Sequence, residues 1–318
     1  MADRALIGRP PGILIRDSTL REGQDVPGVD FSEEQKLKIA RMLDRAKVPE
    51  IEIVAPGRVF QDAEFAKRLK QERMQTKTSG LIFASSTRCE DEVKAVCECL
   101  DGLDLLMPVS ELRKPYDRSV KIKLLLGALD FALPLCTAVG VGFPHSTQAS
   151  TEFLLEISHQ CAEKGAKRIL IYDTNGSADP FAIFDLIKSM KTHVKIPLCF
   201  HAHNDLGLAT ANSLAAVLAG ADGLDVTVNG LGDRAGNTSL EQVVMILHLR
   251  GMATGISLEV LKQLSEVVER ESGIRISGLA PVVGEFVAVH KSPGHLEIPG
   301  LFEAFDPSLL GMERKIIR

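Results

Sequence analysis

The sequence predicts an α/β protein with a (β/α)8 TIM-barrel fold and a small carboxy-terminal subdomain. Short runs of β-forming residues alternate with segments of helical period along most of the chain, which is typical of repeated βα units and a parallel sheet. Eight such runs occur, the number that closes a barrel. The length of 318 residues, 45% hydrophobic and 25% charged, suits one large barrel domain with a small addition.

The eight predicted strands are short runs rich in Ile, Leu and Val, spaced widely enough for a helix between neighbours. Their approximate bounds are 13–17, 50–54, 80–84, 104–108, 136–142, 168–172, 196–202 and 223–228.

Segments with apolar residues at three- and four-residue spacing follow the strands and predict amphipathic helices. The first, at 33–47, is preceded by Ser32 as an N-cap and has Glu33 and Glu34 in its first turn, where the helix dipole favours acidic residues. The others lie near 89–100, 118–132, 150–164, 180–191, 206–219 and 238–249.

The residues after the last βα unit exceed what a barrel needs. They comprise a predicted helix at 257–272 and a tail at 277–318 that Gly and Pro interrupt repeatedly. We therefore expect a catalytic barrel over residues 1–254 and a helical linker with a lid subdomain over residues 255–318.

Charge and hydropathy indicate a protein that acts on small molecules. The net charge is -5 and no long Lys/Arg run occurs, so we expect no nucleic-acid partner. No signal peptide and no apolar window of roughly 18 residues is present, so we expect no membrane partner and a cytoplasmic location. The six cysteines fall mostly in apolar periodic segments, which predicts reduced, buried thiols.

Three polar clusters follow predicted strands at their carboxy ends, where TIM barrels keep their active sites. They are residues 16–24 after strand 1, 201–205 after strand 7 and 229–238 after strand 8. His201 and His203 are two residues apart on a strand, so both imidazoles face the same side, and strands 7, 8 and 1 become neighbours when the barrel closes. Two imidazoles with Asp17 therefore predict a divalent-metal site that leaves positions for a chelating substrate.

The same clusters resemble the three motifs of the 2-isopropylmalate, homocitrate and citramalate synthase family. The matching segments are DSTLREG at 17–23, HAHNDLG at 201–207 and NGLGDRAGNTSLE at 229–241. A fourth match, HKSPGH at 290–295 followed by LFE at 301–303, resembles the segment after the barrel in that family. The resemblance spans roughly residues 12 to 318.

The resemblance implies an acyltransferase that condenses acetyl-CoA with a small 2-oxo acid to give a 2-substituted malate-type product and CoA. Asp17, His201 and His203 would hold Mg, Mn or Zn, with Asn237 as a weaker ligand. The metal would polarise the keto group of the oxo acid, and Arg16 would stabilise the developing alkoxide.

For the proton transfer, the resemblance implies that His295 is the base or relay that takes a proton from the acetyl methyl group, with Glu303 nearby. In that family the carboxy-terminal subdomain crosses to a partner subunit. We therefore expect a homodimer with exchanged subdomains, in which His295 could act in cis or in trans.

Substrate-binding candidates surround this expected site. Thr174 matches a position that holds the oxo-acid carboxylate, and Glu52 ends strand 2 facing the pocket. An ordinary ion pair at the barrel rim is the alternative role for Glu52. Gln24, His145 and Arg113 are the other candidates.

The chain departs from the family pattern around the substrate. His145 lies where the family has an acidic sequence. Phe302 occupies a position at which the family commonly has tyrosine, and Arg113 one at which it often has histidine. Because arginine binds carboxylate or phosphonate through paired hydrogen bonds, Arg113 favours an oxo acid with a second anionic group, such as 2-oxoglutarate, oxaloacetate or phosphonopyruvate. A solvated arginine is the alternative.

Two other functions compete with this prediction. One is a carbon-carbon lyase of the hydroxymethylglutaryl-CoA lyase type, whose glycine-rich loop with a reactive cysteine has no match here. The other is a noncatalytic barrel that binds an organic acid. Because the sequence ends at Arg318, we expect no amino-acid-sensing domain and therefore a homocitrate-synthase-like member rather than a leucine-regulated one.

Overall fold

The chain folds as a closed eight-stranded parallel barrel, which confirms the predicted fold class. The computed structural model describes residues 12–111 and 117–317, apart from the side chain of Leu296. Each strand pairs in parallel with the next, and the first strand pairs with the eighth, where Leu14 lies opposite Gly223 and Asp17 opposite Val226. Closure places the carboxy ends of all eight strands at one mouth.

All eight predicted strands are present, each with bounds within three residues of the prediction. They are β1 (Leu14–Asp17), β2 (Glu50–Val54), β3 (Lys77–Phe83), β4 (Gly102–Leu106), β5 (Ala138–Phe143), β6 (Ile169–Asp173), β7 (Leu198–Ala202) and β8 (Gly223–Val226).

Helices follow the strands around the outside of the barrel. They are α1 (Thr19–Glu22), α2 (Glu33–Arg45), α3 (Val59–Lys70), α4 (Cys89–Cys99), α5 (Arg118–Ala132), α6 (Thr151–Lys164), α7 (Pro180–His193), α8 (Ala209–Leu218) and α9 (Leu240–Leu249). The short α1 and the α3 helix were not among the predicted helices. The α1 turn matters most, because it directly follows β1 at the mouth of the barrel.

The predicted start of α2 is confirmed by a reciprocal cap. The backbone N–H of Gln35 donates to Ser32 Oγ at 3.3 Å, and the backbone N–H of Ser32 donates to Gln35 Oε1 at 2.9 Å. These two bonds satisfy N–H groups that would otherwise lack a partner at the helix start.

The barrel interior is charged, although branched apolar side chains usually fill it. Arg16 of β1 is fully buried and donates to Asp225 at 2.8 Å, Asp104 at 2.7 Å and Glu50 at 3.0 Å. Arg168 contacts the same Glu50 and Asp104 from the other side, each at 2.7 to 2.8 Å. This network joins β1, β2, β4, β8 and the residue just before β6 inside the barrel.

The carboxy-terminal part begins with α10 (Leu261–Ser272), whose buried face includes Leu264 and Val268 and belongs to the same apolar core as the barrel. Beyond it lie the short strands β9 (Val289–His290) and β10 (Lys315–Ile316), which pair in parallel, and α11 (Pro293–Glu297) between them. In the described part of the chain, no helix has the length and apolar character needed to cross a membrane.

The prediction that all six cysteines are reduced is wrong for one pair. Cys97 of α4 and Cys136, which follows α5, form a disulfide with a Cα–Cα distance of 5.2 Å. Both positions lie in periodic apolar segments, so the sequence pattern could not show that neighbouring helices bring them together. The remaining cysteines, Cys89, Cys99, Cys161 and Cys199, are free.

Candidate metal centre and active site

Two histidines and one glutamate meet at the mouth of the barrel. His201 is the next-to-last residue of β7, His203 directly follows the strand, and Glu22 ends the α1 turn. One ligand atom from each lies within 4.8 Å of the others, and all three side chains are buried. Among the described residues, this is the one group of three or more His, Cys, Asp or Glu side chains that lie close enough together to hold a metal ion. The predicted pairing of the two imidazoles on one side of β7 is therefore found.

The carboxylate of this group is Glu22 rather than the predicted Asp17. Arg16 points into the barrel, and because side chains alternate along a strand, Asp17 points the other way. Its carboxylate accepts hydrogen bonds from the backbone N–H and the hydroxyl of Thr19, both at 2.9 Å. Asp17 thus starts the α1 turn, and that turn carries Glu22 back over the barrel mouth.

The structural role of Asp17 can be tested through the pH dependence of the unfolding free energy. Burial, opposed by the hydrogen bonds from Thr19, raises the pKa of Asp17 to about 7 from its ordinary 3.8. The carboxyl group therefore favours the folded state most below pH 4, and that contribution is lost as the pH rises towards 7. We expect the unfolding free energy of Asp17→Asn, measured in urea, to increase relative to the unsubstituted chain between pH 4.5 and pH 8. A difference that stays constant with pH would contradict this role.

Asp225 fixes the orientation of His201. The Nδ1 atom of His201 lies 3.2 Å from Asp225 Oδ2, so the other ring nitrogen faces the barrel mouth. There Nε2 lies 3.3 Å from Glu22 Oε1 and 3.0 Å from the amide nitrogen of Asn237. A carboxylate that binds the far nitrogen of a metal-binding histidine is the arrangement that fixes ring position and tautomer.

The ionised Glu22 and the neutral His203 suit a cation, and His201 would bind one after losing a proton. Burial opposes ionisation of Glu22, but Arg21 and His201 hold the pKa of Glu22 well below its ordinary value. Burial and the charge on His201 lower the pKa of His203 to about 4, so this imidazole is neutral at pH 7. Burial alone would lower the pKa of His201, but hydrogen bonds to Asp225 and Glu22 raise it to about 9. An ionised carboxylate beside a neutral imidazole is a ligand pair for a divalent cation.

Arg21, rather than the predicted Arg16, is the guanidinium beside this cluster. Arg16 lies below the mouth in the interior network, where four carboxylates surround it, Glu52 being the fourth at 3.4 Å. Arg21 contacts Glu22 at 2.7 Å and donates to Glu52 through Nε. The two arginines therefore have different surroundings, and only Arg21 borders the candidate metal ligands.

Four buried polar atoms around the cluster have no hydrogen-bond partner among the described residues. They are Arg21 Nη2, the Tyr172 hydroxyl oxygen, His203 Nδ1 and Asn237 Oδ1. Leaving one such atom unsatisfied costs about 1–3 kcal/mol, so four at one site indicate that a ligand, an ion or water completes it. The donor set of imidazole, carboxylate and amide oxygen fits a divalent cation.

The predicted substrate-binding residues are only partly gathered at this site. Glu52 is fully buried and accepts from the Ser18 hydroxyl at 2.9 Å as well as from Arg21. His145 has a left-handed backbone, φ 65°, and its N–H donates to the Thr174 hydroxyl at 2.7 Å. Gln24 donates to the Leu20 carbonyl at 2.9 Å. Arg113 lies outside the described residues.

The predicted catalytic pair His295 and Glu303 forms a separate cluster in the carboxy-terminal segment. His290, which the sequence analysis did not select, lies between them. Its Nδ1 is 3.2 Å from His295 Nδ1, and its Nε2 is 2.9 Å from Glu303 Oε1. His295 stacks on Phe302 with ring centroids 4.0 Å apart, and Arg314 pairs with Glu303. The hydrogen bonds and ring contacts described for His295 and Glu303 stay within residues 290–314.

Sequence reasoning missed four residues at the barrel mouth: Arg21, Glu22, Tyr172 and Asp225. Two of them carried a usable signal. Residues 16–22 contain an Arg-Asp pair at 16–17, within β1, and an Arg-Glu pair at 21–22, after it, and strand alternation already separates Arg16 from Asp17. Arg21 and Glu22 were therefore the alternative candidates for the guanidinium and the metal-binding carboxylate. Tyr172 and Asp225 lie within apolar strands and had no such signal.

Comparisons with known proteins agree with the fold and the motifs. The HMGL-like family model matches residues 13–268. The homocitrate synthase of Methanopyrus kandleri is 35% identical over 97% of this chain and 79% of its own length. The 2-isopropylmalate synthase 2 of Caldanaerobacter subterraneus subsp. tengcongensis is 33% identical over 96% of this chain and 81% of its own length.

Among solved structures, the HMG-CoA lyase of Bacillus subtilis superposes with a TM-score of 0.76 over 87% of this chain and 98% of that one. Its 19% sequence identity makes it evidence for the fold alone. The predicted resemblance to the homocitrate and isopropylmalate synthases is confirmed by the relatives at 32–35% identity. The extent of the model match and the identity to these relatives show that the chain belongs to the HMGL-like family.

Proposed function

We propose that this protein is an acyltransferase that condenses acetyl-CoA with a small 2-oxo acid. The observation that carries the proposal is the set of unpartnered buried polar atoms around Glu22, His201 and His203, at the barrel end where this fold keeps its active sites. Relatives of the chain that are named homocitrate and 2-isopropylmalate synthases support this reaction class.

Glu22, His201 and His203 are the proposed ligands of a divalent cation such as Mg, Mn or Zn, with Asn237 Oδ1 as an additional oxygen ligand. A cation held there would polarise the keto group of the oxo acid. A Cβ atom at Gly232 would lie 1.8 Å from Asn237 Oδ1, so the glycine leaves room for the amide at this point. Asp225 keeps the His201 ring in place.

Arg21 takes the role that the sequence prediction gave to Arg16. Its Nη2 group is buried and unpartnered, while Nε and Nη1 are fixed by Glu52 and Glu22. A guanidinium held in this way can donate to the oxygen that gains negative charge when carbon attacks the keto group, without rearranging first. Glu52 is thus proposed as the residue that orients Arg21.

The proton chemistry is assigned to the carboxy-terminal cluster. We assign to His295 the removal of a proton from the acetyl methyl group, with His290 and Glu303 continuing the hydrogen-bonded chain. The methyl carbon then bonds to the keto carbon as the C=O π bond breaks, and the resulting alkoxide takes up a proton to give the tertiary alcohol. Water hydrolyses the thioester to a carboxylic acid and CoA. Because the described contacts of His295 stay within its own segment, we propose that a partner subunit supplies it.

Exposed apolar side chains support an exchanged dimer. Leu279 and Leu301 of the carboxy-terminal segment are 80% and 73% exposed, and Phe286 and Ile298 are also exposed. A concentration of large apolar side chains on one segment is typical of an association surface. On this proposal, residues 255–318 form a lid subdomain that covers the barrel mouth of the partner subunit, and residues 1–254 form the catalytic barrel.

The oxo acid itself is proposed to have a second anionic group. Thr174 and His145 lie together at the ends of β6 and β5, where the oxo-acid carboxylate would bind. Arg113 is proposed to bind the second carboxylate or phosphonate. This makes 2-oxoglutarate, oxaloacetate and phosphonopyruvate better candidates than an aliphatic oxo acid.

The test is release of free CoA from acetyl-CoA, followed with a thiol reagent. The chain is treated with a chelator, reloaded with Mg, Mn or Zn, and assayed with 2-oxoglutarate, oxaloacetate, phosphonopyruvate, pyruvate and 2-oxoisovalerate. We expect metal-dependent release with at least one acid, and faster release with an acid that has two anionic groups.

Two outcomes would contradict parts of this proposal. If no acid causes metal-dependent CoA release, the condensing function is wrong. If 2-oxoisovalerate gives the fastest release, the condensing function stands, but the proposed binding of a second anionic group by Arg113 is wrong. Incubation of the condensation products with CoA and metal, without acetyl-CoA, is the control for carbon-carbon cleavage.

A further inference from the structure

One of the unpartnered buried polar side chains at the barrel mouth has no individual role in the function proposed above. Tyr172 lies on β6, opposite His201 of β7 in the strand register, and is 5% exposed. Its ring centroid lies 4.7 Å from that of His201. Its hydroxyl oxygen has no hydrogen-bond partner among the described residues.

The ring of Tyr172 packs over Gly142 of the neighbouring strand β5, where the glycine leaves space for it. A Cβ atom at Gly142 of β5 would lie 2.5 Å from a methyl carbon of Leu106, 3.0 Å from the Tyr172 ring and 3.4 Å from its hydroxyl oxygen. Any larger residue at position 142 would displace the ring. The phenol of Tyr172 therefore extends from β6 over β5. His201 of β7 has β8 on its other side.

The ring of Tyr172 packs against apolar side chains as well as against His201. Tyr172 belongs to a small buried cluster with Leu81, Leu106, Leu170 and Cys199, separate from the main core. A phenylalanine would fill such a place without leaving a hydroxyl unsatisfied, which costs about 1–3 kcal/mol when the group is buried. The hydroxyl is thus unfavourable for packing alone, and a bound group with an acceptor atom would compensate it.

The neighbouring charges indicate which kind of group this is. Tyr172 is close enough to Arg21 and Glu52 for their charges to act on its hydroxyl, and His201 contacts its ring. A ligand held between the candidate metal ligands and Arg21 would therefore lie beside the phenol. A hydroxyl group donates readily to a carboxylate or keto oxygen.

We propose that Tyr172 is a substrate-binding residue, whose hydroxyl donates a hydrogen bond to an oxygen of the 2-oxo acid and whose ring forms the wall of the pocket towards β5. The inference rests on the proposed metal-bound oxo acid. It adds a contact that neither the three sequence motifs nor the carboxy-terminal cluster contains. The contact is made with the bound oxo acid and not with acetyl-CoA.

The test compares Tyr172→Phe with Ser158→Ala. Ser158 Oγ, on α6, is also buried and without a hydrogen-bond partner in the described part of the chain, so each change deletes one unpartnered hydroxyl. Both variants are expected to keep the unfolding free energy of the unsubstituted chain or exceed it. The probe is oxalate, titrated calorimetrically into the manganese-loaded proteins, since it has the paired oxygens of a 2-oxo acid and needs no substituent pocket.

We expect Tyr172→Phe to bind oxalate about tenfold to a hundredfold more weakly, and Ser158→Ala to bind it as the unsubstituted chain does. In the CoA-release assay, the KM for the oxo acid should rise in Tyr172→Phe, with the KM for acetyl-CoA and kcat nearly unchanged. Manganese affinity, titrated without oxalate, should not change.

The results separate this inference from the proposed function. If oxalate binds Tyr172→Phe as tightly as it binds the unsubstituted chain, the inference is wrong and the metal site stands. If the unsubstituted chain binds manganese but no oxalate, or binds neither, the oxo-acid site itself fails and the inference fails with it. Equal weakening in Ser158→Ala would show a general packing effect and would also overturn the inference.

Discussion

Glu22→Gln is expected to remove divalent-metal binding and CoA release, with a loss of more than about a hundredfold in each. Glu22 is the buried carboxylate that lies with His201 and His203 in ligand geometry. Glutamine keeps the size of the side chain but removes its charge. Residues that only support a metal ligand already contribute about 10–100-fold to affinity or activity, so loss of a direct ligand should cost more.

Asp17→Asn is the matched control for this prediction, because it makes the same chemical change five residues earlier. Asp17 accepts two hydrogen bonds from Thr19 and belongs to no metal-ligand group, so its variant should retain metal binding within about threefold. Calorimetric titration with Mn²⁺ and the CoA-release assay measure both variants. If Asp17→Asn abolishes metal binding while Glu22→Gln retains it, the original prediction of Asp17 as the ligand is right.

Arg16→Met is expected to lower the unfolding free energy by about 3–5 kcal/mol, because breaking a buried ion pair leaves charges without compensation. Arg16 contacts Glu50, Glu52, Asp104 and Asp225 in the barrel interior, and its side chain is fully buried. Methionine fits the volume but supplies no positive charge, so three buried carboxylates and the partly buried Glu50 lose a shared partner.

The control is Arg41→Met. Arg41 forms a two-bond ion pair with Glu72, but its side chain is 54% exposed, so its loss should change stability by no more than about 1 kcal/mol. Urea unfolding compares the two variants, and Arg16→Lys serves where Arg16→Met does not accumulate as folded protein. If Arg16→Met or Arg16→Lys unfolds like the unsubstituted chain and has lost CoA release, then Arg16 is a catalytic residue, as the sequence predicted.

These two predictions concern the two positions at which the structure favours residues other than those predicted from the sequence. Both positions lie in one short segment, residues 16–22, where arginine precedes an acidic residue twice. The sequence predicts metal binding by Asp17 and alkoxide stabilisation by Arg16, whereas the structure places Glu22 and Arg21 beside the two imidazoles. Adjacent residues on a strand face opposite sides, so Arg16 and Asp17 could not both serve a site on the barrel axis.

The side-chain alternation that separates Asp17 from Arg16 also brings His201 and His203 to one side, as the sequence predicts. Two residues apart on a strand they face the same way, and the carboxy end of a barrel strand is where functional groups gather. Local periodicity was enough for this inference. The position of Glu22 depends on the α1 turn, a single helical turn too short to show any periodicity.

The sequence by itself determined the barrel, the order of its strands and the pair of imidazoles at its mouth, because strand and helix periodicity is a local property that repeats eight times. Tertiary structure alone decided which carboxylate meets the imidazoles, that Arg16 belongs to the interior network and that Cys97 pairs with Cys136. Those contacts join residues from different βα units. Their distances follow from barrel closure and from the direction of each side chain, which no local pattern contains.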